Sequence, residues 1–220
     1  MNTVLGIRSD NLPLIKMCGL RRAMDVIAAR DSGADAIGMV FAPSRRRVNA
    51  PDAAALLAEA GTHPPLVGVF VNQTVVEIEE IAGAVGLAAV QLSGEEPPAQ
   101  AGNLSLPYIK TLHLKPDGTA EATLREMDRY PRAAAFLLDS WSREGGGSGV
   151  RADWELAAAI IKQAPGPVFL AGGLDPENVG EALAITGAAG VDVSSGIELA
   201  GWKDPARMVA FARQARGGGA

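Results

Sequence analysis

Two residues of this sequence stand out for what they could do to a proton. Cys18, the chain's one cysteine, ends the apolar run "LIKMC", and Asp139 ends the run "AAFLLD". Taken singly, a lone cysteine reads as a small buried apolar residue, and an aspartate at a strand end as a turn or cap. Taken together they form an acid/base pair suited to proton transfer beside a carbonyl or imine carbon. Two glycine-bearing stretches, "AGGLDPENV" and "VSSGIE", each place small residues between a strand and a helix start. Such a loop lets backbone N–H groups approach a phosphate, or it is simply a tight turn. Three consecutive arginines, Arg45, Arg46 and Arg47, read as a solvated face or as a source of one guanidinium for a bidentate carboxylate grip.

The elements that must position these residues follow from an alternation running along the whole chain. Short apolar runs recur at "PLIKMC", "DAIGMVF", "PPLVGVFV", "LAAVQL", "PYIKTLHL", "AAFLLD", "PVFLAGG" and "GVDVSSG". Their length and continuity are those of strands buried on both faces. Helical stretches separate them. "TVVEIEEIAGAVG" aligns Val75, Ile78, Ala82 and Val85, and "RAMDVIAARDSG" aligns Ala23, Val26 and Ile27 before a stop at Gly33. "DPENVGEALAITG" and "DPARMVAFARQAR" start alike, with Asp175 and Asp204 as N-caps and proline at the first turn. The fourth helix, "EEPPAQAGNL", has room for little more than a turn. Eight strands joined by helical crossovers imply parallel pairing and a single (β/α)8 TIM barrel over 1–220, with a short extension at 1–12 and a flexible tail at 217–220. The rival, a doubly wound open sheet, lacks its dinucleotide fingerprint after strand one.

In such a barrel the site lies at the C-terminal ends of the strands. That rim collects Cys18, the three arginines, Asn72, Gln91, Ser93, Asp139, the "GGGSG" stretch with Gly147, then Gly172, Gly173, Asp192, Ser194, Ser195 and Gly196. The loops after strands seven and eight are the frequent phosphate site of barrels. Composition narrows the partners. A formal charge of -5 argues against nucleic acid. No signal peptide or membrane-length apolar window is present, so the expected location is cytoplasmic. One cysteine rules out an internal disulfide framework.

The stretches "KMCGL", "GADAIGMVFAPSRRRV", "GVFVN", "VQLSGEE", "LLDS", "GGGSG…DW", "LAGGLDPENV" and "VDVSSGIE…GWKD", in this order over residues 16–204, resemble the phosphoribosylanthranilate isomerase family. The resemblance implies an Amadori rearrangement of N-(5-phosphoribosyl)anthranilate in tryptophan biosynthesis, without metal or organic cofactor. It makes Asp139 the general acid that opens the ribose ring and Cys18 the base that takes the C2′ proton. It makes Arg46 the carboxylate-binding arginine, with Arg47 the alternative because the loop is one residue short. Gly172, Gly173, Ser194, Ser195 and Gly196 become phosphate contacts, Gly147 part of a closing loop, and Gln91 and Asp192 substrate contacts. A thiol acts as base at neutral pH only if its pKa falls from ~8.5, and Lys16 or an arginine is the candidate cation. The implied partner is one small-molecule substrate, with no nucleic acid or membrane, for a monomer or homodimer.

Three positions depart from the family pattern: Arg21 stands where Thr is common, Ser93 where His is usual, and Ala152 where an aromatic is frequent. Two other readings compete. The aminoimidazole carboxamide ribotide isomerase of histidine biosynthesis uses two aspartates, and Cys18 occupies the first of those places. A phosphate-ligand binding protein would keep the rim without turnover.

Overall fold

The computed structural model describes residues 12–140 and 152–218. Eight parallel strands close into a barrel: β1 Leu14–Cys18, β2 Ala36–Val40, β3 Leu66–Phe70, β4 Ala89–Leu92, β5 Tyr108–Leu114, β6 Ala135–Ser140, β7 Val168–Leu170 and β8 Gly190–Val193. They pair in sequence order, and β8 returns to β1 with Leu14 opposite Gly190 and Lys16 opposite Asp192. The helices between them are α1 Ala23–Asp31, α2 Ala50–Ala60, α3 Val75–Val85, α4 Pro98–Ala101, α5 Ala120–Asp128, α6 Trp154–Ile161, α7 Val179–Thr186 and α8 Pro205–Ala215. Helix α4 is the single turn its two prolines and glycine imply. A hairpin of β9 Glu198–Leu199 and β10 Trp202–Lys203 follows β8. The sequence gives no period for it; its turn uses positive φ at Ala200 and Gly201, as a two-residue hairpin turn requires.

Alternation along each strand sorts side chains into two layers. Leu14, Ala36, Val67, Ala89, Ile109, Ala135, Leu137, Phe169 and Ala171 pack together inside the barrel. The other parity, with Ile15, Met17, Ile37, Phe70, Leu138 and Val191, faces the helices. The floor is built around one ring, Phe169. A Cβ on Gly190 would lie 2.5 Å from that ring, so only glycine leaves it room. Above this apolar floor the same inward parity continues as Lys16, Cys18, Gln91, Thr111, His113, Asp139 and Asp192.

Asp204 holds as the predicted N-cap of α8, Asp175 does not hold for α7, and the cap of α3 emerges only in the structure. Thr74 and Glu77 form a capping box on α3, and Asp204 accepts from Arg207 N–H at the start of α8. Helix α7 begins later than its sequence implies, with Asn178 as N-cap. Asp175 instead accepts the Glu177 N–H in the turn that precedes the helix. The predicted extension (except Leu12) and the last two residues of the predicted tail lie outside the described residues.

Candidate active site

The end of β1 holds a buried charge beside the thiol. Lys16 is fully buried, and its Nζ donates to Asp192 Oδ1 at 2.6 Å across the β1–β8 pairing. Cys18 is 6 % exposed on the same inward face. Gly38, opposite Cys18 on β2, makes the packing possible: a Cβ there would lie 2.7 Å from Cys18 Sγ and 3.1 Å from Lys16 Nζ. Thiol and ammonium therefore lie within about 6 Å of each other, a range at which two charges interact strongly out of bulk water. Burial works against the Lys16 charge, yet Asp192 and Cys18 together outweigh it and raise its pKa. Burial pushes the Cys18 thiol up, with Asp192 adding to that, while Lys16 and Lys203 pull it down. The two lysines do not cancel the rise, so the thiol sits above its ordinary range rather than below it as a base at neutral pH requires, and any thiolate it forms depends on these two cations.

The second lysine belongs to the β9–β10 hairpin. Lys203 Nζ donates to Glu198 Oε1 at 2.8 Å and to the Ser194 carbonyl at 2.8 Å. Glu198 also receives a two-point grip from Arg46, Nε to Oε1 at 2.7 Å and Nη2 to Oε2 at 2.9 Å. Burial alone would raise Glu198; the two cations hold it down at about 2. Burial lowers Lys203, and Glu198 limits the fall. Arg46 is buried, whereas Arg47 is exposed and lines a surface groove with Arg21, Val48 and Asn49. Arg21 is committed away from the thiol. Its guanidinium donates to the carbonyls of Arg45 and Gly201 and lies 4.5 Å from the Trp202 ring centre, tying three rim loops together.

Across the mouth, Asp139 sits on the inner face of β6, opposite His113 on β5. Burial raises its carboxyl to about 6, with His113 acting against the rise and Asp192 adding to it. Gln91 is buried; its Nε2 donates to Ser93 Oγ, which shares a hydrogen with Thr111 Oγ1 at 3.1 Å. Gln91 Oε1 has no partner among the described residues, and a buried orphan acceptor is costly unless a ligand satisfies it. Gly172 and Gly173 turn the chain off β7 with φ of +88° and +64°. A Cβ on Gly172 would lie 2.6 Å from Ser140 N, and one on Gly196 would run into the Leu174 carbonyl. Ser194 Oγ donates to the Cys18 carbonyl, and Ser195 and Gly196 open a short 3-10 turn, Ser195–Ile197.

The strands thus bring Cys18, Gln91, Asp139, Asp192 and the two glycine loops to one rim. Gly147 and the "GGGSG" stretch lie outside the described residues. Ala152 is buried, its N–H directed at the Gly172 carbonyl. Among the described residues no three His, Cys, Asp or Glu side chains gather as a metal site, and no helix is long and apolar enough to cross a membrane. Sequence reasoning missed three groups. Glu198 and Lys203 lie in quoted motifs but acquire a role only through the hairpin. His113 had a readable signal, since it follows Thr111 at period two toward the end of strand five.

Comparison with known proteins places this geometry. Residues 15–214 match the family model described as N-(5'phosphoribosyl)anthranilate (PRA) isomerase. The chain is 42% identical over 211 residues to the N-(5'-phosphoribosyl)anthranilate isomerase of Roseiflexus sp. (strain RS-1), covering 92% of this chain and 97% of that one. It is 43% identical over 208 residues to the enzyme of the same name from Myxococcus xanthus (strain DK1622), covering 92% and 95%. Among solved structures, phosphoribosyl anthranilate isomerase from Thermotoga maritima superposes with a TM-score of 0.83 at 35% identity, over 94% of this chain and 100% of that one. A structure of such an isomerase with reduced 1-(o-carboxyphenylamino)-1-deoxyribulose 5-phosphate gives 0.80 at 32% identity, over 94% and 100%.

Proposed function

The chain belongs to the N-(5'-phosphoribosyl)anthranilate isomerase family, and on that premise we propose how its own side chains carry out the reaction. It is an isomerase of tryptophan biosynthesis that converts N-(5-phosphoribosyl)anthranilate to 1-(2-carboxyphenylamino)-1-deoxyribulose 5-phosphate. Asp139, whose carboxyl keeps its proton up to about pH 6, gives that proton to the ribose ring oxygen as the bond from C1′ to that oxygen breaks. The nitrogen lone pair forms the C=N bond of the Schiff base. Cys18, as thiolate, then removes the C2′ proton, and the electron pair moves toward C1′ to leave an enolamine. A proton gained at C1′ and one lost from the 2′ oxygen give the ketone, and in sum Cys18 and Asp139 return to their starting forms.

The observation that carries this assignment is the pairing of chemistry on the inner rim. A single thiol lies beside a buried ammonium, and a carboxyl with a raised pKa sits across the mouth. Arg46 holds the anthranilate carboxylate: two of its nitrogens brace it on Glu198, and Nη1 has no hydrogen bond among the described residues. Arg47, exposed on the flank, is the weaker candidate. The loops of Gly172, Gly173, Ser194, Ser195 and Gly196 hold the phosphate, and Gly147 belongs to the stretch that closes over the sugar. Gln91 Oε1 accepts from a sugar hydroxyl, and the Asp192 oxygen not held by Lys16 accepts from another. The same proposal places residues 1–220 in one barrel domain, acting in the cytoplasm as a monomer or homodimer, with no nucleic-acid or membrane partner and no metal or organic cofactor.

The test is loss of substrate fluorescence with purified protein. Cys18→Ala and Asp139→Asn should each lower turnover at least ~100-fold. Near-normal rates in either variant would overturn that residue's role.

A further inference from the structure

The acid side of the mouth holds a titratable group that the reaction as described leaves unused. His113 lies directly opposite Asp139 in the β5–β6 register, on the inward parity shared with Thr111 and Ile109. Its ring is placed by Nε2, 3.4 Å from the Ser93 carbonyl of the neighbouring β4 edge. We propose that His113 is a positioning residue for the general acid, its imidazolium stabilising the carboxylate that Asp139 becomes when it hands its proton to the ring oxygen. The inference rests on the assignment of Asp139 as the acid.

The groups around Asp139 make the case. Asp192 on β8 opposes its ionisation, and so does burial. On β1, the Lys16 ammonium is already held by Asp192 at 2.6 Å, and Cys18 adds no cation. The end of β7 offers Ala171 and the glycines, and Ser140 adds hydrogen bonds from the strand itself. The stretch 141–151 lies outside the described residues. Of the charges acting on Asp139 within the described residues, His113 leads those that favour the carboxylate. A group that only buried Asp139 would leave it protonated and unwilling to donate. A permanent cation would ionise it at rest. The β5–β6 register instead sets an imidazole, a side chain able to hold either charge state, directly opposite the carboxyl, where negative charge forms as the proton leaves.

Two substitutions of opposite charge effect test this on the full chain. His113→Gln removes the imidazolium and His113→Lys makes the charge permanent. The Asp139 titration is followed by the infrared band of its protonated carboxyl, identified by its loss in Asp139→Asn, alongside the pH profile of kcat/KM. His113→Gln should move the Asp139 titration up by ~0.5–1 pH unit and His113→Lys should move it down by a similar amount. In His113→Gln kcat should fall ~3–10-fold with KM within about twofold. A titration that stays put, or moves the same way in both variants, overturns the proposal. So does an unchanged kcat in His113→Gln, even where the titration has moved. Failure of the underlying assignment looks different: Asp139→Asn would then retain turnover, while the infrared titration would still report on His113.

Discussion

Lys16→Met isolates the group on which the thiolate depends. In the native chain the Lys16 ammonium lies within about 6 Å of Cys18 Sγ, and at an effective dielectric near 20 a pair of unit charges at that range interacts by roughly 3 kcal/mol. Lys203 acts on the same thiol, which reduces the share that removing Lys16 alone exposes. Removing Lys16 should therefore reduce the thiolate population at a given pH between about 10- and 100-fold. Alkylation by iodoacetamide reads this without ambiguity, since the chain has one cysteine. The measurement is the second-order rate at pH 7.5, with fold checked by circular dichroism. Breaking a buried ion pair leaves Asp192 uncompensated and costs about 3–5 kcal/mol, so the companion Lys16→Met/Asp192→Asn variant restores stability without restoring the cation. A folded Lys16→Met protein alkylated as fast as wild type would refute the reasoning, and the cation would have to be sought in Lys203.

Four further perturbations follow from the same charges and contacts. Asp139 titrates near 6 when folded against ~3.9 unfolded, so wild-type stability falls as pH rises from about 4 to 6, a loss of about 2–3 kcal/mol above that window. Asp139→Asn should consequently unfold at higher temperature than wild type at pH 7.5 while losing turnover; an equal or lower Tm refutes the burial argument. Glu198 is the opposite case, with a folded pKa of about 2 against ~4.3 unfolded, so its contribution is present above about pH 4.3 and lost as pH falls toward 2. Glu198→Gln should cost roughly 2–3 kcal/mol in urea denaturation at pH 7, the gap to wild type closing below pH 4. Gly38→Ala, whose Cβ would crowd Cys18 Sγ and Lys16 Nζ, should lower turnover at least ~10-fold in a folded barrel. Gly83→Ala on helix α3, which meets nothing within 4 Å, should keep full activity and gain ~0.5–1 kcal/mol.

Strand and helix order was legible because a parallel barrel writes it in local chemistry: eight apolar runs too short for helices, each followed by polar or small residues. The rim positions of Cys18, Asp139 and the two glycine loops followed from that order alone, since strand ends of a barrel converge. The late start of α7 and the β9–β10 hairpin were not legible. The first turns on Asp175 accepting the Glu177 N–H in the turn that precedes the helix, and the second on positive φ at Ala200 and Gly201. The pairings that set the chemistry were hidden for a different reason. Lys16 meets Asp192 across 176 residues, and Arg46 meets Glu198 across 152. Sequence determined which groups stand at the mouth. Only closure of the barrel, joining β8 to β1 and β5 to β6, decided which charge faces which, setting Lys16 and Lys203 against the Cys18 thiol and His113 opposite Asp139.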